Sequence, residues 1–263
     1  MLVLARLDIE RLLDLDRLVD ALASVMADLS AGNASMPPRI AAQVPERDGL
    51  LGAMPAFVPS IQVLETKLVS VFPHNSDRPT HQAVIVCFDP ANGAPIALLD
   101  ASYITEARTA AGSALATRLL AREDAEVLAV LGTGAQAKAH ARAVVRVRPF
   151  RLVRVAGRDP EKAERLAAEL SSMLACEVTA ARDFQQALHG AGVVCAATHA
   201  PEPVVRRAFL APGTHVNSVG YNTAGREVDA ETVVDALVVV ESRAAALAPP
   251  PGEIGRASCR ERV

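Results

Sequence analysis

Two hydrophobic rhythms divide this chain. Between Asp8 and Leu29, apolar residues Leu12, Leu13, Leu15, Leu18, Val19, Leu22, Val25, Met26 and Leu29 recur at helical spacing with acids between them. That spacing predicts one amphipathic helix, stopped by Gly32-Asn33. Residues 36–100 then turn β-rich: Arg39–Val44, Gly49–Phe57, Val63–Phe72, Gln82–Phe88 and Ala94–Leu99 read as strands, with Asp89-Pro90-Ala91-Asn92-Gly93 as a hairpin turn. A helix of small residues follows from Ala101 to Ala121, carrying Ala107, Ala110, Ala111, Gly112, Ala114 and Ala116. Small faces of this kind let neighbouring backbones approach closely.

After Asp124 short apolar strands alternate with amphipathic helices. The strands are Val127–Leu131, Leu152–Ala156, Glu177–Ala180, Val193–Ala197, His215–Val219 and Ala236–Glu241; the helices are Ala135–Val147, Pro160–Leu174 and Phe184–His189. Val-rich strands without internal alternation are the mark of a sheet buried on both faces, so the fold class expected is α/β, a Rossmann-type doubly wound parallel sheet. A second, α+β domain precedes it. The expected boundaries are 1–112 for the first domain and 113–252 for the nucleotide-binding domain.

Bulk chemistry narrows the function classes. Of 263 residues, 51% are hydrophobic and 22% charged, the balance of a folded globular protein rather than a disordered one. A formal net charge of −3 supplies no field for nucleic acid. No apolar run free of charge reaches the length of a signal peptide or membrane span, which predicts a cytoplasmic protein without a membrane partner. The four cysteines, Cys87, Cys176, Cys195 and Cys259, are widely spaced and the six histidines scattered, so neither disulfides nor a metal site is expected.

The last eleven residues, Glu253–Val263, lack periodicity and follow the turn-like run Pro249–Gly252. Read back into codons, they reproduce an in-frame sequencing adapter. The expectation is that 253–263 is a non-native tail and that the natural gene continues.

The segment VLAVLGTGAQAKAHARAV contains Gly132-Thr133-Gly134-Ala135-Gln136-Ala137, a GxGxxA dinucleotide fingerprint placed directly after an apolar strand and at the start of a helix. Gly132 permits the tight turn, Gly134 lets the backbone approach a pyrophosphate, and Ala137 lets the helix pack on the strand. The second strand ends Val155-Ala156-Gly157-Arg158-Asp159-Pro160. No acid stands at its tip for a ribose hydroxyl. Arg158 is placed to pair with a 2′-phosphate, favouring NADP with NAD still allowed, and Asp159 suits the cap of the helix that starts at Pro160.

Together with this loop, the segments PPRIAAQ (37–43), MPAF (54–57), KLVSVFPHN (67–75), EARTAA (106–111), LGTGAQA (131–137) and VNSVGYNTAGREVD (216–229) carry a resemblance to the ornithine cyclodeaminase/mu-crystallin family, from about Leu7 to Pro251. Members interconvert small amino acids and imines with a nicotinamide cofactor, and pair into homodimers through the non-nucleotide domain. By position, the resemblance implies that Arg39 and Arg108 hold a substrate carboxylate and that Lys67 sits beside the reacting carbon–nitrogen bond. It also implies that Thr198 and the stretch Asn217-Ser218-Val219-Gly220 line the cofactor with Gly132, Thr133, Gly134, Ala135 and Gln136. His74 lies in a matched loop and reads as an ordinary loop histidine.

One departure directs the choice of reaction. Ornithine-cyclising members carry an Asp where this chain has Asn222, and an amide takes no proton near neutrality. The expectation is therefore an NAD(P)H-dependent ketimine reductase of small cyclic imino acids, such as pyrroline-2-carboxylate to proline. Ornithine cyclodeaminase or amino-acid dehydrogenase activity, and a non-catalytic cofactor- or ligand-binding role, stand as alternatives.

Overall fold

The computed structural model describes residues 1–220, 225–242 and 246. The chain divides into two compact units, Met1–Arg108 and Thr109–Val263.

The first unit contains β1 (Leu2–Leu4), α1 (Arg6–Leu12), α2 (Leu15–Ser30), β2 (Ile40–Val44), β3 (Gly49–Val58), β4 (Val63–Val71), β5 (His81–Phe88) and β6 (Pro95–Asp100), and ends within α3 (Ser102–Leu120). Its six-stranded sheet runs β1-β6-β5-β4-β3-β2. Strands β2 to β6 form an antiparallel meander, and β1 joins β6 in parallel. Two tight connections share one design. Pro45 and Pro59 open single 3-10 turns that close on left-handed residues, Asp48 (φ 48°) and Gln62 (φ 50°).

The single helix expected over Asp8–Leu29 is in fact two. Asp14 interrupts it, turning extended and accepting the backbone N–H of Arg17 at 2.9 Å, so it restarts the chain as the N-cap of α2. Continuous apolar spacing across this point concealed the break. The short β1 also went unread, because three residues carry no measurable alternation.

The second unit contains β7 (Val127–Leu131), α4 (Ala135–Val144), β8 (Leu152–Ala156), α5 (Pro160–Ser171), β9 (Glu177–Ala180), α6 (Phe184–Leu188), β10 (Val193–Ala196), β11 (His215–Ser218) and α7 (Ala230–Asp235). All five strands are parallel in the order β11-β10-β7-β8-β9. Every side chain of β7 and β10 is buried, as a sheet covered on both faces requires. The order reverses between β7 and β10, and a crevice at that switch point, outside the carboxyl ends of the strands, is where such sheets hold ligands.

One expected strand is absent: Ala236–Glu241 forms no ladder, and Leu237 is 89% exposed. Apolar composition alone does not make a strand, and no described strand pairs with this run. Just before it lies α7, which the sequence reading passed over; Asp229 caps it by accepting the N–H of Thr232 at 2.9 Å.

Candidate active site

In the first unit the register gathers the expected cations. Met54 pairs with Lys67 and Lys67 with Ile85, so these three share one face of the sheet. Ile40 pairs with Ala53, which puts Arg39 one residue beyond the ladder, in the row of Met54 and Lys67. From α3, Thr105 and Arg108 lie one turn apart on one helix face. The Lys67 ammonium donates to Thr105 Oγ1 at 2.8 Å, and that hydroxyl donates to the Ala101 carbonyl at 2.7 Å, which orients the ammonium.

Lys67 is half-buried. Burial first, then the charges of Arg108 and Arg39, bring its pKa down to about 8, against an opposing pull from Glu65. Arg39 and Arg108 are themselves exposed. The structure thus brings all three expected residues into one electrostatic neighbourhood.

Sequence reasoning missed two members of this group. Thr105, within the stretch that joins β6 to the EARTAA run, positions Lys67. Glu65 stands two residues before Lys67 on β4, hence on the same face. Its Oε2 is buried without a hydrogen-bond partner, and burial raises the carboxyl pKa while Lys67 opposes the rise. Period-two spacing of the two charges of β4, Glu65 and Lys67, was the available signal. His74 is exposed and pairs with Asp48 at 2.9 Å, a surface contact.

In the second unit the nucleotide turn has the shape its sequence implies. Gly132 holds φ at 116°, a conformation that suits only glycine, and a Cβ there would run into the carbonyl of Ala197. Gly134 is the N-cap of α4; no side chain caps the helix, and the space where a Cβ would point is open. The first-turn amides of α4, including those of Ala135 and Gln136, therefore face the crevice at a helix N-terminus, an arrangement that receives phosphate. Gln136 Oε1 is buried and lacks a partner. At the end of β8, a Cβ on Gly157 would lie 2.6 Å from the methyl of Thr133, so glycine there makes room for the turn. These features fit a dinucleotide.

Arg158 is exposed at the tip of β8, while Asp159 caps α5 by accepting the N–H of Lys162 at 3.2 Å. Thr198 follows β10, and Ser218 ends β11 with Val219 behind it. Both hydroxyls donate to one buried carboxylate, Glu227, at 2.6 and 2.9 Å. The Val219 amide donates to Ala196 at 2.9 Å. Glu227 is the principal residue missed here; nothing in GREVD separates it from a surface acid. Asn217, in the stretch matched to the cofactor lining, instead turns inward, donating to Thr117 Oγ1 at 3.0 Å and to Cys195 Sγ at 3.7 Å. Asn222 lies outside the described residues. Among those described, no group of His, Cys, Asp and Glu gathers to hold a metal, and no helix is long and apolar enough to cross a membrane.

Comparisons with known proteins place this geometry. The profile of the ornithine cyclodeaminase/mu-crystallin family matches residues 1–257. The ketimine reductase mu-crystallin of Mus musculus is 36% identical over 236 residues, covering 88% of this chain and 74% of the relative. The structure of Thermococcus litoralis Δ1-pyrroline-2-carboxylate reductase in complex with NADH and L-proline aligns with a TM-score of 0.88 at 34% identity, covering 94% of this chain and 77% of that one. An archaeal alanine dehydrogenase dimer with bound NAD aligns at 0.87 and 27% identity, covering 94% and 76%.

Proposed function

Because the chain belongs to the ornithine cyclodeaminase/mu-crystallin family, we propose that it is an NAD(P)H-dependent reductase of small cyclic imino acids, with Δ1-pyrroline-2-carboxylate as the model substrate. The observation that carries this reading is a half-buried lysine, held near neutrality by burial and two arginines, in a chain that also presents a dinucleotide turn.

Arg39 and Arg108 hold the substrate carboxylate; the planar guanidinium forks give it bidentate partners. Lys67, oriented by Thr105, delivers the proton that the imine nitrogen gains as its carbon is reduced. A pKa near 8 keeps the ammonium largely charged at neutral pH yet makes its proton transferable. The neutral amine left behind is tolerable beside two fixed positive charges, and solvent restores the proton.

Gly132, Thr133, Gly134, Ala135 and Gln136 would hold the pyrophosphate of the nicotinamide cofactor, which when bound would supply the hydride. Thr198, Ser218 and Val219 would line the nicotinamide end of that site. Arg158 pairs with a 2′-phosphate, so NADP is preferred; Asp159, engaged as the cap of α5, leaves the ribose end without a dedicated acid. Equal KM values for NADPH and NADH would remove that role from Arg158.

The subunits pair as a homodimer through the sheet of the first unit. Val3, Ile40, Leu51 and Val84 lie on the face opposite Lys67, and they are 63%, 69%, 49% and 37% exposed. An apolar sheet face left open in one chain marks an association surface. Leu51→Glu is expected to convert the dimer to a monomer by light scattering.

The deciding assay adds Δ1-pyrroline-2-carboxylate and NADPH to the full-length protein and follows NADPH consumption and proline. A parallel incubation with ornithine and catalytic NAD looks for ammonia. Proline from the first with no ammonia from the second supports the reductase; the reverse supports cyclodeamination. Nucleotide binding without either product supports a binding protein.

A further inference from the structure

Glu227 presents a puzzle the reaction does not explain. The residue is 2% exposed, yet it is an acid, and an acid is rarely buried unless something specific holds it. Its Oε1 accepts the backbone N–H of Thr198 at 2.5 Å and the Thr198 hydroxyl at 2.6 Å. Its Oε2 accepts the Ser218 hydroxyl at 2.9 Å and the Gly220 backbone N–H at 2.8 Å. One carboxylate therefore ties the segment leaving β10 to the segment leaving β11.

The post itself is fixed. The Glu227 carbonyl accepts from the amides of Val204 and Val205, both at 2.9 Å, and the Asp229 amide returns to Val205 at 3.0 Å. Glycine is required at position 220, where a Cβ would collide with the Glu227 carboxylate and the Thr198 carbonyl. The other side of the clamp reaches the nucleotide turn: a Cβ on Gly132 would strike the Ala197 carbonyl and lie 3.6 Å from the Thr198 methyl. The turn meets this segment at the Ala197 carbonyl, ahead of the groups that Glu227 itself holds.

In an open parallel sheet, a dinucleotide lies across the switch point, its adenosine half toward β8 and its nicotinamide half toward β10 and β11. We propose that Glu227 is a positioning residue for the nicotinamide half of the cofactor, acting through the Thr198 and Gly220 backbone and the Ser218 hydroxyl. This rests on the reading that the turn from Leu131 to Gln136 cradles a dinucleotide. The adenosine half, held by α4 and the tip of β8, lies outside its reach.

The test is Glu227→Gln, which keeps the shape but faces an amide NH2 toward groups that all donate. Calorimetry measures NADPH and 2′-phospho-ADP-ribose, the same molecule without its nicotinamide, on wild type and variant. Wild type is expected to bind both. The variant is expected to bind NADPH about tenfold more weakly, the scale of lost hydrogen bonds to a charge, while the fragment changes less than about twofold. Parallel weakening of both ligands, or no change in either, overturns the proposal, because a merely structural role moves them together. A wild type that binds neither ligand sinks the cofactor reading, and this inference with it. Should the variant fail to fold, Ser218→Ala removes one of the four donors described above. It is expected to weaken NADPH about threefold and leave the fragment unchanged, and equal effects on the two overturn the proposal.

Discussion

Replacing Glu65 by glutamine removes a negative charge from the neighbourhood of Lys67 without changing its volume, and the pH profile should register the loss. The two residues stand two apart on β4 and share a face, a separation of about 7 Å along a strand rising about 3.3 Å per residue. At that distance Coulomb's law gives about 0.6 kcal/mol with the dielectric of water and about 2.4 at an effective value of 20. For a pair that is only half-buried we take about 1 kcal/mol, or roughly 0.7 of a pH unit. Glu65 raises the Lys67 pKa, so removing it lowers that pKa further below about 8. If Lys67 acts as proton donor, its charged form is the active one. The alkaline limb of kcat/KM, which reports the free enzyme, then falls near pH 8 in wild type and earlier by about half to one unit in Glu65→Gln. A limb that stays in place, or moves to higher pH, would refute the pairing of these two charges or the role of Lys67.

Gly132→Ala is expected to abolish NADPH binding and to cost at least about 2 kcal/mol in urea unfolding, from the positive φ and the collision with Ala197; an unchanged midpoint would argue against it. His140 is fully buried, between the Gln136 carbonyl at 2.7 Å and the Ser113 hydroxyl at 3.0 Å, and burial lowers its pKa. The unfolded chain takes up that proton near pH 6.5, so the contribution is whole above about pH 6.5 and is lost as pH falls toward the lowered folded value. Melting temperature should therefore drop more steeply from pH 6.5 to 5 in wild type than in His140→Gln, and parallel slopes would sink this assignment. Cys195 is wholly buried and pushed up to about 12, so maleimide should label it only after unfolding.

How legible the molecule was depended on how local each signal is. All five strands of the parallel sheet were among the six expected, most plainly the central ones, because a strand buried on both faces is an apolar run: Val127–Leu131 and Leu152–Ala156 hold their expected limits. Gly132 was legible for the same reason, since a tight turn at a fixed place in a strand–turn–helix unit admits few residue types. What escaped were features made by partners distant in sequence. Asp14 looks like one more acid on a helix until it is seen capping Arg17, and Ala236–Glu241 has the composition of a strand but pairs with none of the described strands. Glu227 meets Thr198 across a separation of 29 residues, which no local pattern records. Arg39, Lys67 and Arg108 were named from matched motifs; the strand register and α3 supply the physical reason they act on one another.

Transfer of deuterium from NADPH labelled at the reactive nicotinamide carbon tests the central claim most directly. With Δ1-pyrroline-2-carboxylate and the full-length protein, the account predicts proline carrying one deuterium at the carbon that bears the carboxylate, formed with wild type and lost with Lys67→Met. Proline without label, or label transfer that survives the loss of Lys67 undiminished, would contradict it.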